Sequence, residues 1–149
     1  MSLFDDIFDE SVSADAQTFG PQEGFAGVMI CASACDGHIG EEEGRVVNTI
    51  LGQKKLYSRL SPQQMSSMID RVMGMLKRKG PEQLLEKSFP AVPPELRECA
   101  FANAVDIVLA DGTVDPDEKE FIDDLQSKLE IEPKRARRIV QVMVFKNHG

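Results

Sequence analysis

A chain of 149 residues, 42% of them hydrophobic and 28% charged, is long enough to bury a core without disulfide or metal staples. Its net charge of −8 excludes nucleic acid as a partner, because phosphate neutralisation needs a dense basic face. No apolar run is long enough to span a bilayer and no secretory leader pattern precedes the folded part, so the chain reads as cytoplasmic, with no direct membrane insertion.

Residues 1–20 form an acidic N-terminal arm, read as partly flexible, ahead of a single helical domain at 21–149. The arm sets two apolar pairs, Leu3-Phe4 and Ile7-Phe8, among Asp5, Asp6, Asp9 and Glu10. Anionic lipid would repel those acids, so self-docking or a protein partner is favoured over membrane attachment. The charge continues in blocks. Met1 to Gly44 holds ten acids and no Lys or Arg, whereas Lys54 to Lys79 holds seven basic residues and one acid. Asp106 to Glu132 returns to ten acids against two lysines, and Lys134 to Lys146 has five basic residues and no acid. Acidic and basic surfaces are therefore expected on one molecule.

Beyond the arm the apolar spacing is helical throughout, and the expected class is all-α with about seven helices. A first stripe runs through Phe25, Val28, Met29 and Ala32, and a second through Val47, Ile50 and Leu51. Ser61-Pro62 opens a Met-rich helix carrying Met65, Met68, Ile69, Val72, Met73 and Leu76. Gly80-Pro81 and Phe89-Pro90 are breaks around a short helix at Glu82 to Lys87. Pro93-Pro94-Glu95 precedes a helix with Phe101, Ala104, Val105, Val108 and Leu109. Asp115-Pro116 starts the next, with Ile122, Leu125 and Leu129, and Glu132-Pro133 starts the last, with Ile139, Val142 and Met143.

Residues 31–51 align without a gap on residues 106–126, at a constant offset of 75. Asp36-Gly37 falls on Asp111-Gly112, Ile39 on Val114, and Glu43 on Glu118. This predicts a duplicated helix–corner–helix unit. Each corner has a structural job available: Gly takes the left-handed conformation that ends a helix, and the following Ile or Val packs back on it. In the second corner Asp115 and Glu118 are spaced as a capping box with Pro116 at the first helical position; Gly40 with Glu43 is the poorer copy. An EF-hand loop is excluded, because Ala32 and Ala34, or Ile107 and Leu109, would stand where calcium needs side-chain oxygens. A site shared between the corners is the sharper possibility: Asp36, Glu43, Asp111 and Glu118 would supply four carboxylates, with Asp106, Asp115 and Asp117 nearby. Such a set calls for a hard divalent cation, calcium, magnesium or manganese, if a pseudo-two-fold brings the corners together.

The corners Ala34-Cys35-Asp36-Gly37 and Leu109-Ala110-Asp111-Gly112, each followed by Ile39 or Val114 and then Glu43 or Glu118 in an amphipathic helix, resemble the TerB family of tellurite-resistance proteins. The resemblance spans about Phe25 to Phe145. The second copy is the closer match; in the first, Gly40 replaces a capping acid and Cys31 stands where Asp106 stands in the second. The resemblance implies a helical module without enzymatic activity, linked to tellurium-oxyanion and chemical-stress resistance. It further implies divalent metal at the acidic corner positions, Asp36, Glu43, Asp111 and Glu118, and assembly with membrane-associated and metal-binding protein partners of the same system.

A different class of function would use the thiols. Cys31 and Cys35 are four apart on one helix and His38 follows, so a soft-metal or redox sensor is the alternative. Against it, the three cysteines are odd in number and small neighbours flank these two, which suits free buried thiols. An enzyme is not expected, since no nucleophile motif accompanies the two histidines, His38 and His148. The basic start of the last helix sits at the dipole end that disfavours cations, so a compensating acidic contact is expected there, from this chain or a partner.

Overall fold

The computed structural model describes residues 18–35, 40–110 and 112–148, apart from the side chains of Glu42 and Glu43. Among these residues there are seven α-helices and no strand: α1 (Pro21–Ser33), α2 (Glu41–Gly52), α3 (Pro62–Lys79), α4 (Pro81–Ser88), α5 (Arg97–Leu109), α6 (Pro116–Lys128) and α7 (Pro133–Lys146). Short 3-10 turns sit at Lys55–Tyr57, Phe89–Ala91 and Pro94–Leu96. Residues 1–17, which hold most of the predicted arm, lie outside the described residues, as do Asp36, Gly37, His38, Ile39, Asp111 and Gly149.

The proline start signals hold because each supplies a preset φ where no backbone donor is needed. Pro21, Pro62, Pro81, Pro116 and Pro133 each occupy the first position of a helix. Ser61 and Gln64 form a reciprocal capping box on α3, Gln64 N donating to Ser61 Oγ at 3.1 Å and Ser61 N to Gln64 Oε1 at 2.9 Å. At the start of α1, Gly20 N donates to Glu23 Oε1 at 2.8 Å.

α1 is the centre of the domain. The sequence predicts one apolar stripe along it, but residues 24 to 32 are buried without interruption, so the helix is enclosed on every side. It packs on α4 and α5, and also on α2 and α3. Gly27 allows the close approach to α4, because a Cβ built there would come within 2.7 Å of Ser88 Cβ. Ser88 is itself fully buried, and its hydroxyl donates to Leu84 O at 2.6 Å. The turn at Lys55–Tyr57, which apolar spacing does not reveal, is pinned to the start of α1: Tyr57 Oη donates to Gln22 O at 2.7 Å, and Gln22 Nε2 to Leu56 O at 3.1 Å.

α7 lies on α5 and runs parallel to it, since ion pairs join start to start and end to end. Arg135 pairs with Glu98, and Lys146 Nζ approaches Asp106 Oδ2 at 3.1 Å. Part of the acidic compensation expected for the basic start of the last helix is thus intramolecular, through Glu98 of α5.

Candidate functional site

The second corner is the better described half of the predicted site. Gly112 has φ +82, the left-handed conformation that favours glycine, and its N–H donates to Leu109 O at 3.0 Å to close α5. Val114, predicted to pack back, is half-buried. The capping box then forms as the spacing requires: Glu118 N donates to Asp115 Oδ1 at 2.9 Å, and Asp115 N to Glu118 Oε1 at 3.0 Å. That reciprocal pair folds the Glu118 carboxylate back towards the corner, so one of the four predicted ligands is held in place by its own helix start.

The other three predicted ligands are Asp36 and Asp111, which lie outside the described residues, and Glu43, whose side chain does. Among the described residues, no group of three or more His, Cys, Asp or Glu is arranged to hold a metal ion. Of the nearby acids, Asp106 has another task. Both its carboxylate oxygens accept from Lys146 Nζ at 3.1 Å, and Oδ1 also accepts from Asn147 Nδ2 at 2.7 Å, so it anchors the end of α7.

What the structure adds is a groove of about 760 Å³ between the end of α1, α4 and α6. Its walls carry six carboxylates: Glu82 and Glu86 from α4, and Asp117, Glu120, Asp123 and Asp124 from α6. All six residues are exposed. Lys128 is the basic residue of the lining; its Nζ stands 2.9 Å from Glu86 Oε1 and 2.8 Å from Asp124 Oδ2, bridging α4 to α6. Hydrogen bonds to Asp124 and Glu86 hold its ammonium group above the ordinary lysine range. The sequence signal for this groove was incomplete. The first-turn acids of α6 were visible as a cluster near the corner, but no motif pointed to Glu82, Glu86, Asp123 or Asp124. They meet only because α4 and α6 face each other.

Residues flanking the corners also reach this groove. Cys35, which immediately precedes Asp36, lines it together with Asp117, which immediately precedes Glu118. The chain therefore enters its first corner and leaves its second beside the same groove.

Cys31 and Cys35 lie in the same lining, and the environment of Cys31 works against thiolate chemistry. Cys31 is buried and donates to Pro81 O at 3.4 Å. Burial pushes its thiol well up from the ordinary value of 9.0, with a smaller contribution from Cys35. Cys35 donates to Ala32 O at 3.3 Å. His38 lies outside the described residues.

These features define an all-α module whose second helix–corner–helix unit carries a formed acidic capping device and borders an acidic groove. The family model for Tellurite resistance protein TerB matches residues 22–141, and the chain belongs to that family. No curated protein and no solved structure matches it.

Proposed function

We propose that this chain is a non-enzymatic module of a tellurium and chemical-stress resistance system, working by binding a divalent cation between its two corners and presenting the loaded surface to protein partners. The ligands in this reading are Asp36, Glu43, Asp111 and Glu118, and the cation is calcium, magnesium or manganese, the hard ions suited to carboxylate oxygens. The observation that carries it is the shared groove: Cys35 and Asp117, each adjacent to a predicted ligand, line one wall system. α1 and α5, the helices leading into the two corners, also pack on each other, as a pseudo-two-fold duplication would require. The six groove carboxylates, with Lys128 as the one basic residue of the lining among those described, add a negative potential that draws cations towards the corners.

Family membership favours tellurite-related resistance as the setting, and we place the module in the cytoplasm. Among the described residues no helix is long and apolar enough to cross a membrane, so contact with a membrane-associated assembly would go through protein partners.

The test is calorimetric titration of calcium, magnesium, manganese and zinc into chelator-treated protein, alongside an Asp36→Asn, Asp111→Asn double variant. Saturable binding of a hard cation, at micromolar affinity or tighter and lost in the folded double variant, is the expected result. Heat from none of the four metals would leave the corners as helix caps. Preferential zinc binding retained by the double variant would instead favour the thiols with His38.

A further inference from the structure

The outward face of α7 is divided into a basic half and an apolar half. Ala136 is buried, and Ile139, Val140 and Met143 are half-buried against the domain, so the opposite side of the helix faces outward. That side carries Lys134, Arg137 and Arg138 in the first two turns, exposed and with no ion pair to another described residue. In the last two turns it carries Val142, Val144 and Phe145, exposed by 55%, 43% and 75%. These three make up most of the exposed large hydrophobic residues among those described, which also include Val46. Arg138, Val142 and Phe145 follow one another at i, i+4 and i+7, so charge and apolar surface form one continuous stripe.

A segment with matching chemistry belongs to the same chain. Leu3, Phe4, Ile7 and Phe8 recur at i, i+1, i+4 and i+5, with Asp5, Asp6, Asp9 and Glu10 between and after them. From Met1 to Gly20 the chain holds five acids and no Lys or Arg. It is thus an acidic, apolar sequence of the kind that complements a basic, apolar helix face.

We propose that residues 3–10 dock on the outward face of α7 of the same molecule, Leu3, Phe4, Ile7 and Phe8 covering Val142, Val144 and Phe145 while the intervening acids pair with Arg137 and Arg138. Reach is sufficient: the seventeen residues before Thr18 span up to about 55–60 Å when extended, whereas a domain of this size has a radius of gyration of about 14 Å. Tethering gives the arm an effective concentration on the order of millimolar, so a short contact of modest intrinsic affinity suffices. The basic first turns of α7, which oppose the helix dipole, gain the acidic contact that Glu98 supplies only to Arg135.

Amide hydrogen exchange on the full-length chain tests this. In wild type, amides of residues 4–10 should exchange at least ~10-fold more slowly than an unstructured peptide of the same sequence. That protection should vanish both in Arg137→Glu, Arg138→Glu and in Val142→Ser, Phe145→Ser, changes confined to exposed positions that leave α1 to α6 protected. Asp5→Lys, Asp6→Lys should abolish it too, and combining that pair with Arg137→Glu, Arg138→Glu should restore it. Coil-like exchange of residues 4–10 in wild type would overturn the proposal. So would protection that survives both α7 variants. Protection that appears only at concentrations where sedimentation shows a dimer would assign the face to a second copy and equally overturn docking within one molecule.

Discussion

Cys31 ties its side-chain burial to a measurable pH response. The folded chain holds the Cys31 proton more tightly than the unfolded chain, whose thiol titrates near the ordinary 9.0. Stability contributed this way is complete below that value and declines as pH rises above it, by about 1.4 kcal/mol per pH unit for one group. Tyr57, also held up mainly by burial, joins from its ordinary 10.0. Denaturation at pH 9 and pH 10 should therefore show a steep loss of stability, and Cys31→Ala should flatten it in that interval. In native protein at pH 8 a disulfide reagent should modify Cys31 at least ~100-fold more slowly than Cys35 or Cys99, the difference disappearing in denaturant. Fast modification of Cys31 without denaturant would mean that the thiol is accessible, and the sensor reading would regain ground. That Cys31 is a buried packing residue was legible from its small neighbours, while Cys35 and Cys99 are only half-buried; the carbonyl of Pro81 that receives the Cys31 thiol was not legible. It comes from α4, 50 residues away.

Among the elements, the amphipathic ones were the most readable. The Met-rich stripe of α3 and the Asp115–Glu118 start of α6 form as their spacing dictates, because both depend on residues within a few turns of one another. α5 buries the stripe its spacing predicts, through Phe101, Ala104, Val105 and Val108, whereas α1 was found as a helix but read as one-faced, since small residues such as Gly24, Ala26 and Gly27 do not register as a second apolar stripe even when neighbours enclose them. Two glycine substitutions should have opposite signs, one set by the contact of α1 with α4 and the other by open space beside α2. Gly27→Ala places a methyl group against Ser88, whose Cβ is fixed to the α4 backbone, so the helices must separate; a cost of about 1–3 kcal/mol is expected. Gly44→Ala, in α2 with nothing within 4 Å of the added Cβ, should stabilise by about 0.5–1 kcal/mol. Urea midpoints of the two variants decide it. A neutral Gly27→Ala would mean that α4 is loosely seated on α1, and the groove it helps to wall would lose its definition.

At the scale of the whole molecule, blocks of charge along the sequence become separate surfaces on the fold. Acids of α4 and α6 collect in one groove, while the exposed cations of α7 lie on the helix that follows. The sequence anticipated this coexistence but not its partition, because α4 is brought near α6 through a chain of non-local contacts, α4 packing on α1, α1 on α5 and α5 on α6. The same packing makes the number of cation sites a discriminating measurement. If the corners close on one ion, as their shared groove favours, titration should give one equivalent per chain. Asp36→Asn alone and Asp111→Asn alone should then each weaken binding by roughly 10-fold or more, since either removes a first ligand from the same ion. If each corner acts by itself, two equivalents would bind and each substitution would remove one, leaving the other unchanged. The second outcome would refute the shared site while preserving metal binding. The weaker of two such sites is expected at the first corner, where Gly40 stands in the position that Asp115 fills in the second.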